Sequence, residues 1–219
     1  GWSKMIRLML LDDHALVRTG YRRLFDAERD MEVVCEAAGA DEACACLRAC
    51  DIDVAVVDLS LKGASGIEAI RRLLQRNRGI RILVLSMYDE PGYVRQAIRA
   101  GALGYMTKDC GPDELMAAVR RVAEGKRVFA DGLANAVLCA DFESEALMER
   151  LTPREFEVLR QAAQGDAAAC IARSMHLSEK TVLNHLSAVR QKLGAQNDFK
   201  LMLLAVRHGL VSLEDKARA

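Results

Sequence analysis

The sequence predicts a doubly wound α/β domain on a five-stranded parallel sheet, followed by a small all-α domain of four helices. Three observations carry this. Short apolar runs alternate with amphipathic stretches five times across residues 5–125, and such alternation means parallel strands joined by crossover helices. Beyond residue 150 the strand signal stops and four helical stretches follow. The charge changes sign at the same place: residues 1–149 hold 20 Lys and Arg against 24 Asp and Glu, residues 150–219 hold 11 against 7. The zero net charge of the 219-residue chain is therefore a cancellation between an acidic part and a basic one.

Each element has its own justification. Met5–Leu11 is nearly all apolar, as suits a strand buried on both faces. Asp13–Asp26 places Leu16, Val17, Tyr21, Leu24 and Phe25 at helical spacing. Met31–Ala37 reads as a strand, and Asp41–Arg48 as a helix with Asp41 at its N-cap. Val54–Val57 is a β-branched or Ala run ending at Asp58, and Gly66–Gln75 is amphipathic through Ile67, Ile70, Leu73 and Leu74. Ile80–Leu85 ends at Ser86, and Pro91–Ala100 is a helix with Gly101 just past its end. Leu103–Met106 runs into Thr107-Lys108, and Pro112–Glu124 is a helix closed by Gly125.

Residues 126–149 read as a linker, with a short helix candidate at Asp131–Cys139 and an acidic stretch at Asp141–Glu149. Leu151–Gln164, Ala167–Met175, Glu179–Leu193 and Asp198–His208 are the four helices of the second domain, residues 150–219. Gly1–Lys4 reads as a tag remnant, with the natural start at Met5.

Composition excludes several classes. At 51% apolar residues the chain can bury real cores, which argues against disorder. No apolar run approaches the roughly 18 residues of a spanning helix, so no membrane association is expected. The seven cysteines are scattered without a Cys-x-x-Cys pair, so zinc is not expected. In a helix, Cys46 and Cys50 share a face and Cys44 turns away. All seven are expected as structural thiols in a reducing cytosol.

Sheets of this class bind ligands at the carboxyl ends of their strands. Asp12 and Asp13 follow the first strand and Asp58 ends the third, its neighbour in a doubly wound order. Three carboxylates in one cleft repel, and a hard divalent cation relieves that repulsion. Lys108 ends the fifth strand at the same edge and can neutralise a phosphate, while Ser86 ends the fourth and offers a hydroxyl. Asp12, Asp13, Asp58, Ser86 and Lys108 together are the equipment for making an aspartyl phosphate. Any one alone could be a helix cap or a solvent-facing strand end. A metal-dependent aspartyl-phosphate hydrolase also fits these groups, but the chain shows no cap domain or further acid–base carboxylate.

Residues 5–125, through Leu11-Asp12-Asp13-His14, Val57-Asp58-Leu59-Ser60, Leu85-Ser86 and Gly104-Tyr105-Met106-Thr107-Lys108, resemble the flavodoxin-like receiver domain of bacterial two-component response regulators. The resemblance implies that a sensor histidine kinase phosphorylates Asp58. It implies Mg²⁺ held by Asp13, Asp58 and the Ser60 backbone carbonyl, with Asp12 acting through water. Ser86 and Tyr105 would be the switch pair, beside Lys108. Leu61-Lys62 stands where the family usually has Met-Pro, and Asp109 where it often has Pro. Neither change removes a reactive group, although Lys62 is placed to alter phosphorylation or dephosphorylation rates.

In the second domain, Thr152 caps a helix with Pro153 first and Glu155 third. Ser178 can cap Glu179–Leu193, whose inward stripe is Val182, Leu186, Val189 and Leu193. The other face offers Lys180, Thr181, Asn184, His185, Ser187, Ala188, Gln191 and Lys192. A helix-turn-helix lays such a face in the major groove of double-stranded DNA; a small bundle with a solvated polar face fits the same pattern. Leu151–Glu155, Val158-Leu159, Gly165, Ile171-Ala172, Leu177-Ser178, Lys180-Thr181-Val182, His185 and Lys192-Leu193 resemble the LuxR-type helix-turn-helix. Receiver plus this domain defines the NarL/FixJ group, and Cys110–Val119 and Leu203–Val211 resemble its hexose-phosphate uptake and GacA types.

Two departures stand out. Ala167–Ala169 and Cys170 replace the polar residues that usually cap and anchor the second helix. Leu183 replaces a polar DNA-contacting residue. The expectation is a cytoplasmic, phosphorylation-dependent transcriptional regulator, a homodimer when phosphorylated, not an enzyme beyond catalysing its own phosphorylation and dephosphorylation. The alternative is a receiver-controlled regulator acting mainly through protein contacts, with weakened DNA binding.

Overall fold

Strands β1 (Ile6–Leu11), β2 (Met31–Ala37), β3 (Val54–Val57), β4 (Arg81–Ser86), β5 (Gly104–Thr107) and β6 (Val128–Phe129) form one sheet in the order β2-β1-β3-β4-β5-β6. Every pairing is parallel. The computed structural model describes residues 4–61, 65–130, 132–133 and 148–210. Among these the chain divides into two compact units, 1–89 with 96–132 and 90–95 with 133–219.

Helices α1 (Ala15–Asp26), α2 (Ala40–Ala49), α3 (Gly66–Arg76), α4 (Pro91–Ala100) and α5 (Pro112–Ala123) connect the strands, with residues 91–95 of α4 assigned to the second unit. The central strands are apolar along their length because both faces are covered: Leu8, Met9, Val54, Ala55, Val57, Ile82, Leu83 and Val84 are fully buried. Each such Val, Leu, Ile or Met side chain contributes roughly 1.5–3 kcal/mol on burial.

Three details differ from the sequence reading. The sheet has six strands, not five: Val128–Phe129 pairs with Gly104–Tyr105, because Val128 N–H donates to Leu103 and Ala130 N–H to Tyr105. A two-residue strand leaves too short a pattern to read. Helix α2 begins one residue before Asp41, with Gly39 at its N-cap and no side-chain cap. Asp41 instead lies in the first turn and pairs with Arg72 at 2.6 Å. Finally, Cys46 is not a free thiol; it is bonded to Cys35 of β2, with Cα atoms 6.1 Å apart. Spacing within α2 could not reveal a partner on a strand.

The second unit holds α6 (Pro153–Ala163), α7 (Ala168–Met175), α8 (Glu179–Leu193) and α9 (Asp198–Arg207). Val158, Ile171, Ala172, Met175 and Val182 form its buried core, with Leu177 and Leu186 packed against it. Helix α6 starts at the expected capping box: Thr152 Oγ1 accepts from Glu155 N–H, and a Glu155 oxygen accepts from Thr152 N–H. Helix α7 starts at Ala167 with no side-chain cap, as the alanine run implies. Gly194, at φ 66°, ends α8 in the left-handed conformation that glycine adopts without cost. The helix candidate at Asp131–Cys139, the stretch Asp141–Glu149 and Lys62 lie largely or wholly outside the described residues. Among the described residues no helix is long and apolar enough to cross a membrane.

Candidate functional site

The acidic site grows from sheet register. Leu11 of β1 pairs with Val57 of β3, so the next residues, Asp12 and Asp58, leave adjacent strands side by side. The strand order reverses here, with β1 between β2 and β3, which is where an open α/β sheet forms its crevice. Asp58 N–H donates to Leu11 and Asp12 N–H to Ala37, fixing both backbones.

Asp12 and Asp58 are buried, at 5% and 3% exposure. Lys108, just past β5, donates from Nζ to Asp12 Oδ2 at 2.9 Å and to Asp58 Oδ2 at 3.0 Å. Asp58 Oδ1 accepts from Ser60 N–H at 3.1 Å. Burial pushes the Asp58 carboxyl above the usual range, opposed by Lys108 and reinforced by Asp12. Burial works against the charge on Lys108, but Asp58 and Asp12 outweigh it and raise its pKa.

Ligand atoms of Asp12, Asp13, His14 and Asp58 lie within 4.8 Å of one another. Three hard carboxylate donors on a confined cluster suit a hard divalent cation. His14 is the member that sequence reasoning missed. Its Nδ1 lies 3.1 Å from Asp12 Oδ1 and 3.0 Å from Asp13 Oδ1, and its N–H donates to Asp12. Its position directly after the acidic pair was the available signal.

Ser86 and Tyr105 meet through an unexpected residue. Ser86 Oγ accepts from Tyr88 N–H at 3.1 Å, and Tyr105 Oη donates to the Tyr88 carbonyl at 2.6 Å. Both side chains are fully buried and hold one peptide segment after β4. Gly66 was also missed. A Cβ there would stand 2.4 Å from Leu59 Cα and 2.7 Å from the Asp58 carbonyl oxygen, so only glycine lets α3 start against the Asp58 loop.

On α8, Val182, Val189 and Leu193 face inward as expected. Lys180, Leu183, Asn184 and Ser187 are exposed, and Thr181, His185 and Ala188 half-buried. Lys192 is held by another helix: its Nζ donates to Glu155 Oε2 at 2.7 Å, joining the end of α8 to the cap of α6. Arg190, on the same turn, pairs with Asp198 at 2.6 Å.

Two family patterns match the chain: the response regulator receiver domain over residues 8–120, and the bacterial regulatory proteins of the LuxR family over residues 149–205. The transcriptional regulatory protein YxjL of Bacillus subtilis is 36% identical, covering 94% of this chain and 97% of its own. The transcriptional regulatory protein UhpA of Escherichia coli is 38% identical, covering 90% and 96%. A solved structure of two RcsB dimers bound to two parallel DNAs is 25% identical, covers 93% and 98%, and superimposes with a TM-score of 0.59.

Proposed function

Since the chain belongs to the response regulators, the transcriptional regulators of two-component systems that join a receiver to a LuxR-type DNA-binding domain, we propose that Asp58 is its phosphoacceptor, charged by a sensor histidine kinase. The observation that carries this is the buried Asp58 carboxylate held between Lys108 Nζ and Ser60 N–H, beside Asp12 and Asp13. An Asp58 oxygen attacks the donor phosphorus, the bond to the donor breaks, and the donor departs with its electron pair. Lys108 then meets the new negative charge.

Asp13, Asp58 and the Ser60 carbonyl would hold Mg²⁺, with Asp12 acting through water. The ion would supply positive charge against the phosphoryl oxygens. The same pocket would catalyse autophosphorylation from small donors and dephosphorylation.

Ser86 and Tyr105 are the switch pair in this reading. The Ser86 hydroxyl leaves Tyr88 N–H to donate to a phosphoryl oxygen, and the segment that both side chains hold is released. The output is a homodimer in the cytoplasm that lays α8 in the major groove of double-stranded DNA. Lys180, Thr181, Leu183, Asn184, His185, Ser187 and Ala188 would face the groove, with Lys192 at its edge.

The test is incubation with acetyl phosphate and Mg²⁺, reading intact mass and duplex DNA binding for wild type and Asp58→Ala. Wild type should gain one phosphoryl group and bind DNA more tightly; Asp58→Ala should do neither. No mass gain in wild type overturns the reading.

A second reading, control through protein contacts with weakened DNA binding, is favoured by the uncapped start of α7 and by Leu183 standing 55% exposed. A shallow salt dependence of DNA binding would favour it.

A further inference from the structure

The Cys35–Cys46 disulfide has no part in the phosphorylation chemistry, yet it sits beside the residues that position Asp12. Cys35 lies in β2 two residues before Ala37, whose carbonyl accepts from Asp12 N–H at 3.1 Å. Between them, Glu36 accepts from Arg18 Nε at 3.2 Å and also pairs with Arg22. Arg18 in turn donates to the Asp12 carbonyl. The Asp12 N–H is therefore held by β2 directly, and its carbonyl by Arg18 of α1, which Glu36 of the same stapled stretch of β2 positions.

The sulfurs lie on the same carbonyl: Cys35 Sγ is 3.9 Å and Cys46 Sγ 3.7 Å from the Glu36 oxygen. A disulfide has no S–H to offer that oxygen, whereas two thiols do, so a change of redox state alters what Glu36 meets. Cys46 is buried and Cys35 half-buried, so Cys35 is the more accessible residue of the pair. In the reducing compartment where a DNA-binding regulator works, disulfides are usually transient or redox-sensing rather than permanent.

We propose that Cys35 and Cys46 form a thiol–disulfide exchange site for a low-molecular-weight disulfide such as glutathione disulfide, and that its redox state tunes the acidic pocket through Asp12. The coupling rests on the reading of that pocket as the phosphorylation site; the exchange site itself does not. In the oxidising direction the Cys35 thiolate attacks one sulfur of the reagent, whose S–S bond breaks and releases one thiol. The Cys46 thiolate then attacks Cys35 Sγ, forming the protein disulfide and releasing the second thiol. The protein loses two electrons and two protons, and the reagent gains both.

The experiment uses the full chain, equilibrated in mixtures of glutathione and glutathione disulfide. Thiols are alkylated and mapped by peptide, and the rate of phosphorylation by acetyl phosphate with Mg²⁺ is measured in parallel. Labels at Cys35 and Cys46 should appear together and reversibly as the mixture becomes reducing. The oxidised protein, with Asp12 more firmly held, should be phosphorylated faster by about twofold or more. Cys35→Ser with Cys46→Ser should match the reduced rate and ignore the mixture, while Cys50→Ser should respond as wild type does. Full labelling of Cys35 and Cys46 in the most oxidising mixture overturns the exchange site. Equal rates for oxidised, reduced and doubly substituted protein overturn the coupling. Absence of phosphorylation in every form refutes the pocket's role and the coupling with it, while the labels still decide the exchange site.

Discussion

Glu155→Gln isolates the contribution of one ion pair to DNA binding. Glu155 accepts from Thr152 N–H at 2.8 Å and from Lys192 Nζ at 2.7 Å through the same oxygen. Burial works to raise its carboxyl, but Lys192 and the Thr152 amide outweigh that and hold it below the usual range. A glutamine amide oxygen can still accept from Thr152, since Gln serves in a capping box as Glu does. What disappears is the charge that holds Lys192. The Lys192 side chain is 36% exposed, so solvent screening limits the stability cost to about 1 kcal/mol. The gain is one ammonium released at the last turn of α8. Each phosphate neutralised steepens the dependence of log K on log salt by about 0.9. Between about 50 and 200 mM salt the variant should therefore lose about 3.5-fold more affinity per protomer than wild type does. Titration of a fluorescent non-specific duplex at several salt concentrations reads both slopes. An unchanged slope, with the fold intact by urea denaturation, would refute the view that Glu155 restrains Lys192.

Leu183→Lys, at a site 55% exposed, should leave stability within about 0.5 kcal/mol and steepen the same salt slope by about 0.9; a flat response would move Leu183 off the DNA face. Gly66→Ala should cost about 1–3 kcal/mol in urea denaturation and slow phosphorylation by acetyl phosphate, because the added carbon meets backbone at Leu59 and Asp58. Asp30 offers a pH test. Arg120 donates to its two oxygens at 2.7 and 2.8 Å and holds its carboxyl below the usual range. A depressed folded-state pKa stabilises the protein above the unfolded value and loses that stabilisation as pH falls through the folded one. Asp30→Asn should therefore cost about 0.5 kcal/mol at neutral pH, discounted for the exposure of Arg120, with the difference from wild type shrinking as pH falls below about 4 and gone only once pH is below the depressed folded-state value. A difference that persists at low pH would assign the effect to packing.

The sheet was legible because burial on both faces leaves an apolar run with no alternation, as in Val54–Val57, and because each run ends in a polar residue that register then brings to one edge. Asp12, Asp58 and Lys108 could be placed together from strand order alone. What escaped depends on contacts distant in sequence. Nothing near Cys46 announces Cys35 across α2 and β2, and nothing near Ser86 announces that Tyr105 shares its hold on Tyr88. Gly66 escaped for a different reason: its role is the absence of a side chain, visible only once the Asp58 loop stands against it. Lys192 is visible in the sequence as a cation on α8, but spacing along one helix cannot reveal that its charge is committed to Glu155 on another.

That commitment bears on how DNA affinity is organised. Helix α8 carries three basic residues, Lys180, Arg190 and Lys192. Arg190 pairs with Asp198 and Lys192 with Glu155, so among the described residues Lys180 is the basic residue of α8 without a salt bridge. On the proposed reading, α8 itself would therefore supply few phosphate contacts, and affinity at physiological salt follows the number of phosphates neutralised. Joining two such domains makes the second contact intramolecular, at an effective concentration in the millimolar range for a short connection. Weak single modules gain most, in relative terms, from that change. On the proposed reading, sparse free charge on α8 would make DNA binding depend on dimerisation, and a phosphorylation event that shifted the monomer–dimer balance would then change DNA occupancy strongly.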